Sequence, residues 1–75
     1  VIMYIYVKKI SKYLTSRYVC NIIFASMYKD DDVYLDFTGV YYISREFAEA
    51  YKYMKSLSKK NIIEINLPYY YRSLF

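Results

Sequence analysis

Apolar residues alternate with tyrosines at the start of the chain: Met3, Ile5 and Val7 stand against Tyr4 and Tyr6, the two-residue period of a strand over 1–7. Residues 8–16 are polar and basic, and Thr15 or Ser16 stands where it can cap a helix over 17–28. Around that helix Val19, Cys20, Ile22, Ile23, Phe24, Ala25 and Met27 cover most of the circumference and leave Arg17, Asn21 and Tyr28 as a narrow polar stripe. Packing on one sheet does not consume so much apolar surface. After a charged turn at 29–32, Val33, Leu35 and Phe37 alternate with Tyr34 and Asp36 as a second strand. Thr38-Gly39 breaks it, 40–43 crosses over, and Ser44 takes an N-cap position before a helix over 45–58. Phe47, Ala50, Tyr51, Met54 and Leu57 recur there at helical spacing, with Glu46 and Glu49 near the start and Lys55, Lys59 and Lys60 towards the end, as the helix dipole favours. Asn61 allows a stop. A third strand over 62–67 places Ile63, Ile65 and Leu67 on one face and Ile62, Glu64 and Asn66 on the other, and Pro68 ends it.

The order βαβαβ makes the fold class α/β, a small mostly parallel three-stranded sheet with two helices, because crossovers of this kind are right-handed in nearly all cases. With both helices on the apolar face the strand order is 1-2-3, and the face bearing Tyr4, Tyr6, Tyr34 and Asp36 is left open. Parallel sheets rarely leave a face bare. The C-terminal run 69–75, a second subunit or a ligand is therefore expected on it.

Composition narrows the picture. Seventy-five residues suit one domain, 1–75, and Val1 in the place of an initiator Met points to truncation at the N-terminus. Thirteen tyrosines suggest half-buried surfaces and a homodimer, since each ring buries area while its hydroxyl needs water or a partner. The formal charge of +4, with three of seven acids gathered at Asp30, Asp31 and Asp32, permits an acidic or nucleic-acid partner. One cysteine and no histidine exclude an internal disulfide, His-based triads and the familiar zinc sites, and fit a reducing, cytoplasmic setting. The longest apolar runs are far too short for a membrane span, and no signal-peptide pattern flanks them, so no membrane partner is expected.

The segment Val33-Tyr34-Leu35-Asp36-Phe37-Thr38-Gly39-Val40-Tyr41-Tyr42-Ile43-Ser44-Arg45-Glu46-Phe47-Ala48 resembles the STAS-like domains grouped as DUF4325, whose pattern is an apolar strand, Asp-Phe-Ser-Gly-Val, Ile-Ser and Phe-Ala opening a helix. Leu14-Thr15-Ser16-Arg17 resembles the approach to that group's first helix. The resemblance implies a STAS-type α/β fold and a non-enzymatic role in protein–protein regulation, as in anti-sigma factor antagonists. In those proteins a serine in a turn at the helix start is phosphorylated. Here that position falls on Glu46, followed by Phe47 in place of glycine. A carboxylate carries about one negative charge where phosphate carries nearly two, so Glu46 is a partial and permanent mimic.

Among candidate chemical groups, Asp36 stands where α/β proteins place ligand-binding and catalytic carboxylates, but an acceptor for turn amides is the plainer role. Ser44 reads as an N-cap before it reads as a phosphoacceptor. Cys20 has nothing to activate it and belongs in the core. Asp30, Asp31 and Asp32 lack the spacing and glycine of a calcium loop and form a solvated turn. No catalytic, cofactor-binding or metal residues are assigned. The expected function is a STAS-like interaction module that self-associates through the first helix, the C-terminal aromatic tail or both. It offers Asp36, Thr38, Gly39, Ser44, Arg45 and Glu46 to an unknown protein partner. The alternative is a small basic nucleic-acid binder using Lys52, Lys55, Lys59 and Lys60 with the sheet tyrosines.

Overall fold

The computed structural model describes residues 2–27 and 32–75. The first strand, β1, is Ile2–Tyr6, followed by a 3-10 turn at Val7–Lys9 and a two-residue strand β2, Tyr13–Leu14. Helix α1, Arg17–Ala25, leads to β3, Asp32–Asp36, then a second two-residue strand β4, Tyr42–Ile43, helix α2, Arg45–Leu57, and β5, Asn61–Ile65. A 3-10 helix at Tyr69–Leu74 follows. The residues expected to form the charged turn, apart from Asp32, and Tyr28 of the polar stripe lie outside the described residues. Strands β1, β3 and β5 form an all-parallel sheet in that spatial order. This is the expected 1-2-3 arrangement and an α/β fold.

Both helices start on side-chain caps. The Ser16 hydroxyl accepts from the Val19 amide at 3.4 Å and the Ser44 hydroxyl from the Phe47 amide at 3.0 Å. Ser44 also donates to the Thr15 carbonyl at 3.1 Å, so one hydroxyl pins α2 to the approach of α1. Ser44→Ala removes both bonds and lowers stability by about 1 kcal/mol, measured as a lower urea midpoint with an unchanged slope.

The core lies between the helices and one face of the sheet. Ile5, Val33, Leu35 and Ile62 meet Cys20 and Ile23 of α1 and Phe47 and Tyr51 of α2. Phe24 packs on Tyr51 with ring centroids 5.7 Å apart, and the Cys20 thiol meets the Met54 sulfur at 3.6 Å, so α2 covers much of the apolar surface that α1 turns away from the sheet. Cys20 is fully buried, as expected, and burial pushes its thiol up to about 11.

Three features differ from the sequence reading. Residues 10–14 and 40–43 join as a small parallel sheet: Tyr13 pairs with Tyr42 and Leu14 with Ile43, and the Tyr41 amide donates to the Lys12 carbonyl at 2.8 Å. Leu14 and Ile43 anchor it in the core.

The third strand is framed the other way round. Register pairs Ile62 with Val33 and Glu64 with Leu35, which puts Ile62 and Glu64 on the helix side, and Ile63 and Ile65 beside Tyr34 and Asp36 on the other. The cause is Tyr51. Its ring is buried, so its hydroxyl needs a partner, and it donates to the Glu64 carboxylate, which also accepts from the Lys55 ammonium at 2.7 Å. Asn66, at φ 57°, then breaks the alternation, and Leu67 turns back to the core.

The C-terminal run, finally, does not cross the tyrosine face. Phe75 sits against Phe37 and Tyr51 at centroid distances of 6.0 and 5.5 Å, and Tyr71 against Tyr42 at 6.0 Å, so the run closes the core edge beside α2.

Candidate functional site

A parallel sheet ends with its strand C-termini together, and here that edge is organised by one carboxylate. Asp36, 4% exposed, accepts from the Thr38 amide at 2.9 Å, the Thr38 hydroxyl at 2.6 Å, the Tyr4 hydroxyl at 2.7 Å and the Asn66 amide group at 3.1 Å. The four donors come from β1, from the turn after β3 and from the residue after β5, so Asp36 ties all three strand ends together. Desolvation pushes its carboxyl up, but the hydrogen bonds from Thr38, Tyr4 and Asn66 outweigh it and hold the group well below the usual carboxylate range. The same bond to Asp36, with desolvation second, pushes the Tyr4 phenol up to about 12. A carboxylate with four donors in place has little capacity left for a metal or a substrate proton, which agrees with the bracing role expected for it.

Tyr4 leads onto the open face of the sheet. Its ring lies 4.9 Å from that of Tyr6 and 6.2 Å from that of Tyr34. Ile2 (58% exposed), Tyr4 (46%), Tyr6 (46%) and Ile63 (40%) form a mixed aromatic and aliphatic surface with no helix of the described residues over it. Its ends carry opposite charges. Asp32 is exposed where β3 begins, and the Lys9 ammonium stands 5.8 Å from the Tyr6 ring centroid at the other end. Ile63 belongs to this face only because of the reversed frame of β5, so alternation counted along 62–67 alone could not place it.

The residues expected to form an interaction turn separate into two groups. Asp36 and Thr38 belong to the brace beneath Tyr4, and Gly39, at φ 81°, makes the turn that lets the Lys8 side chain cross it, where an added Cβ would stand 2.9 Å from Lys8 Cδ. Ser44 is the α2 cap, and Arg45 and Glu46 are exposed in the first turn behind it. Glu46 also lines a groove of about 510 Å³ between the helices, together with Arg17, Glu49, Tyr53, Met54 and Leu57.

Of the lysines expected to meet nucleic acid, Lys52 is paired with Glu49 at 3.2 Å and Lys55 with Glu64 at 2.7 Å. Lys59 is exposed beyond the helix, and the Lys60 amide donates to Ser58. They do not make a row of unengaged cations. Among the described residues no helix is long and apolar enough to cross a membrane, and no three His, Cys, Asp or Glu side chains gather as metal ligands. The residues that sequence reasoning missed are Asn66 and Glu64, whose partners are remote in the chain, and the tyrosines of the small sheet. Comparison with protein families, with curated proteins and with solved structures finds no match to this chain.

Proposed function

We propose that this chain is a non-enzymatic, STAS-like interaction module that pairs with a second copy through the open face of its three-stranded sheet. The observation that carries this reading is the exposure of Ile2, Tyr4, Tyr6 and Ile63 on one continuous face of an all-parallel sheet, a fold element that is ordinarily covered on both sides. A second copy suits the face because its charges complement each other. A two-fold axis lying between the two sheets, parallel to them and across the strands, sets Asp32 of one copy against Lys9 of the partner subunit, at both ends of the contact, with the tyrosines and isoleucines between. The C-terminal tail, the other route expected for self-association, turns Tyr71, Leu74 and Phe75 against the chain's own core and leaves Tyr69 and Tyr70 exposed away from this face. The βαβαβ order and the Asp36-Phe37-Thr38-Gly39-Val40 segment support the STAS-like reading, and the saturated Asp36 supports binding over catalysis.

Three strands about 4.8 Å apart and five residues long present a face of only about 14 by 17 Å, roughly 240 Å², well below the roughly 800 Å² per partner of a standard interface and in the range of weak, transient contacts. Pairing is therefore reversible at micromolar concentration. Light scattering over a dilution series should give twice the monomer mass at high micromolar protein, falling to the monomer mass on dilution. A monomer mass throughout would refute the reading.

A further inference from the structure

A second exposed aromatic surface lies on the small sheet. Tyr13 (56% exposed) and Tyr41 (58%) meet edge to face at 5.7 Å, Tyr42 is paired with Tyr13 across the strands, and Tyr71 packs on Tyr42 and on Tyr70, the latter at 4.8 Å. The Tyr71 hydroxyl donates to the Tyr41 carbonyl at 3.4 Å, so the five rings form one cluster. The Lys12 ammonium lies 5.4 Å from the Tyr41 ring centroid. Lys12 has no carboxylate partner among the described residues.

The charge pattern around the cluster is one-sided. Its rings come from 12–14, 40–43 and 69–72, which contain Lys12 and Arg72 and not one Asp or Glu. Every acid of the chain falls at 30–36, on α2 or on β5, and Asp36 is buried under its four donors. An ordinary folded surface mixes both signs. Exposed rings with cations beside them and no acid among them match a ligand that offers planar apolar faces along an anionic backbone.

We infer that the small sheet binds single-stranded nucleic acid, with bases stacking on Tyr41 and Tyr13 and Lys12 contacting the phosphates beside them. An edge-to-face pair leaves at least one ring face of each partner uncovered by the other, and Tyr13 and Tyr41 are each more than half exposed, which is the access stacking requires. A duplex, whose bases are stacked within it, presents only its phosphates to such a surface. This site is separate from the open face of the large sheet, so it stands or falls without regard to self-association.

The test is fluorescence anisotropy with a labelled oligothymidine of about a dozen nucleotides and with a duplex of equal length, at low salt. The single strand should bind more tightly than the duplex. Tyr41→Leu should weaken it roughly tenfold, and Tyr41→Phe, which keeps the ring, should stay near the parent value. Lys12→Gln should lower the slope of log affinity against log salt by about 0.7. Circular dichroism of each variant establishes that the fold is retained, and Tyr13→Leu repeats the stacking test at a second ring. Absence of binding at low salt overturns the inference. So does preference for the duplex, or binding that polyglutamate displaces as well as unlabelled oligothymidine does and that Tyr41→Leu leaves unchanged.

Discussion

Asp36→Ala lowers the unfolding free energy by about 2 kcal/mol and the melting temperature by roughly 10 °C. Four hydrogen bonds to an ionised carboxylate vanish at once, and each is worth about 1.5 to 3 kcal/mol net in isolation. Their sum is not the cost. Tyr4, Thr38 and Asn66 are exposed enough to turn their donors to water, and deletion also relieves the desolvation of a buried charge. What is lost irrecoverably is the tie between the ends of β1, β3 and β5. Asp36→Asn keeps an acceptor and should cost less.

The same residue sets the acid limb of stability. Its folded carboxyl titrates below the ordinary aspartate value of about 3.9, so between the two values the unfolded chain binds more protons than the folded one. The contribution is complete above the unfolded value and is lost as pH falls through the folded one. Thermal melts at neutral pH and near pH 3 should show the parent protein losing more stability on acidification than Asp36→Ala does. Equal losses in the two proteins would show that the carboxylate is not the brace described.

The brace itself was legible in part. A carboxylate three residues before a glycine at a strand end invites the turn-amide role that Asp36 plays through Thr38. Tyr4 and Asn66 are 32 and 30 residues away, and nothing local announces them. The sheet order followed from alternation, caps and the handedness of crossovers, because each of these acts over a few residues.

The frame of β5 did not, for a physical reason. Its run reads Ile62-Ile63-Glu64-Ile65, where alternation favours the frame of Ile63 and Ile65, and the observed frame rests on a buried phenol eleven residues before Ile62 that requires a carboxylate on its own side. The pair of two-residue strands was equally hidden. Tyr13-Leu14 and Tyr42-Ile43 are too short to show a period, and only their pairing makes them strands. The C-terminal tyrosines show neither period, and their 3-10 turn is set by where Phe75 finds a place beside Phe37 and Tyr51. Each miss is thus a long-range contact overriding a short-range pattern.

One consequence of the reversed frame is the larger apolar content of the open face, and it identifies the residue to change. Ile63→Lys puts an ammonium in the middle of β5 on that face without disturbing the core, since Ile63 is exposed in the single chain. In a paired sheet the two introduced charges would be desolvated among the apolar side chains of the contact, which should weaken association by roughly a hundredfold. Leu57→Lys is the matching control, because Leu57 is an exposed apolar residue of the groove between the helices. Sedimentation velocity of the parent, Ile63→Lys and Leu57→Lys proteins at one high micromolar concentration decides between the two surfaces. Pairing through the tyrosine face predicts a dimer for the parent and for Leu57→Lys and a monomer for Ile63→Lys; a dimer that survives Ile63→Lys and is lost in Leu57→Lys would contradict it and move the interface to the helices.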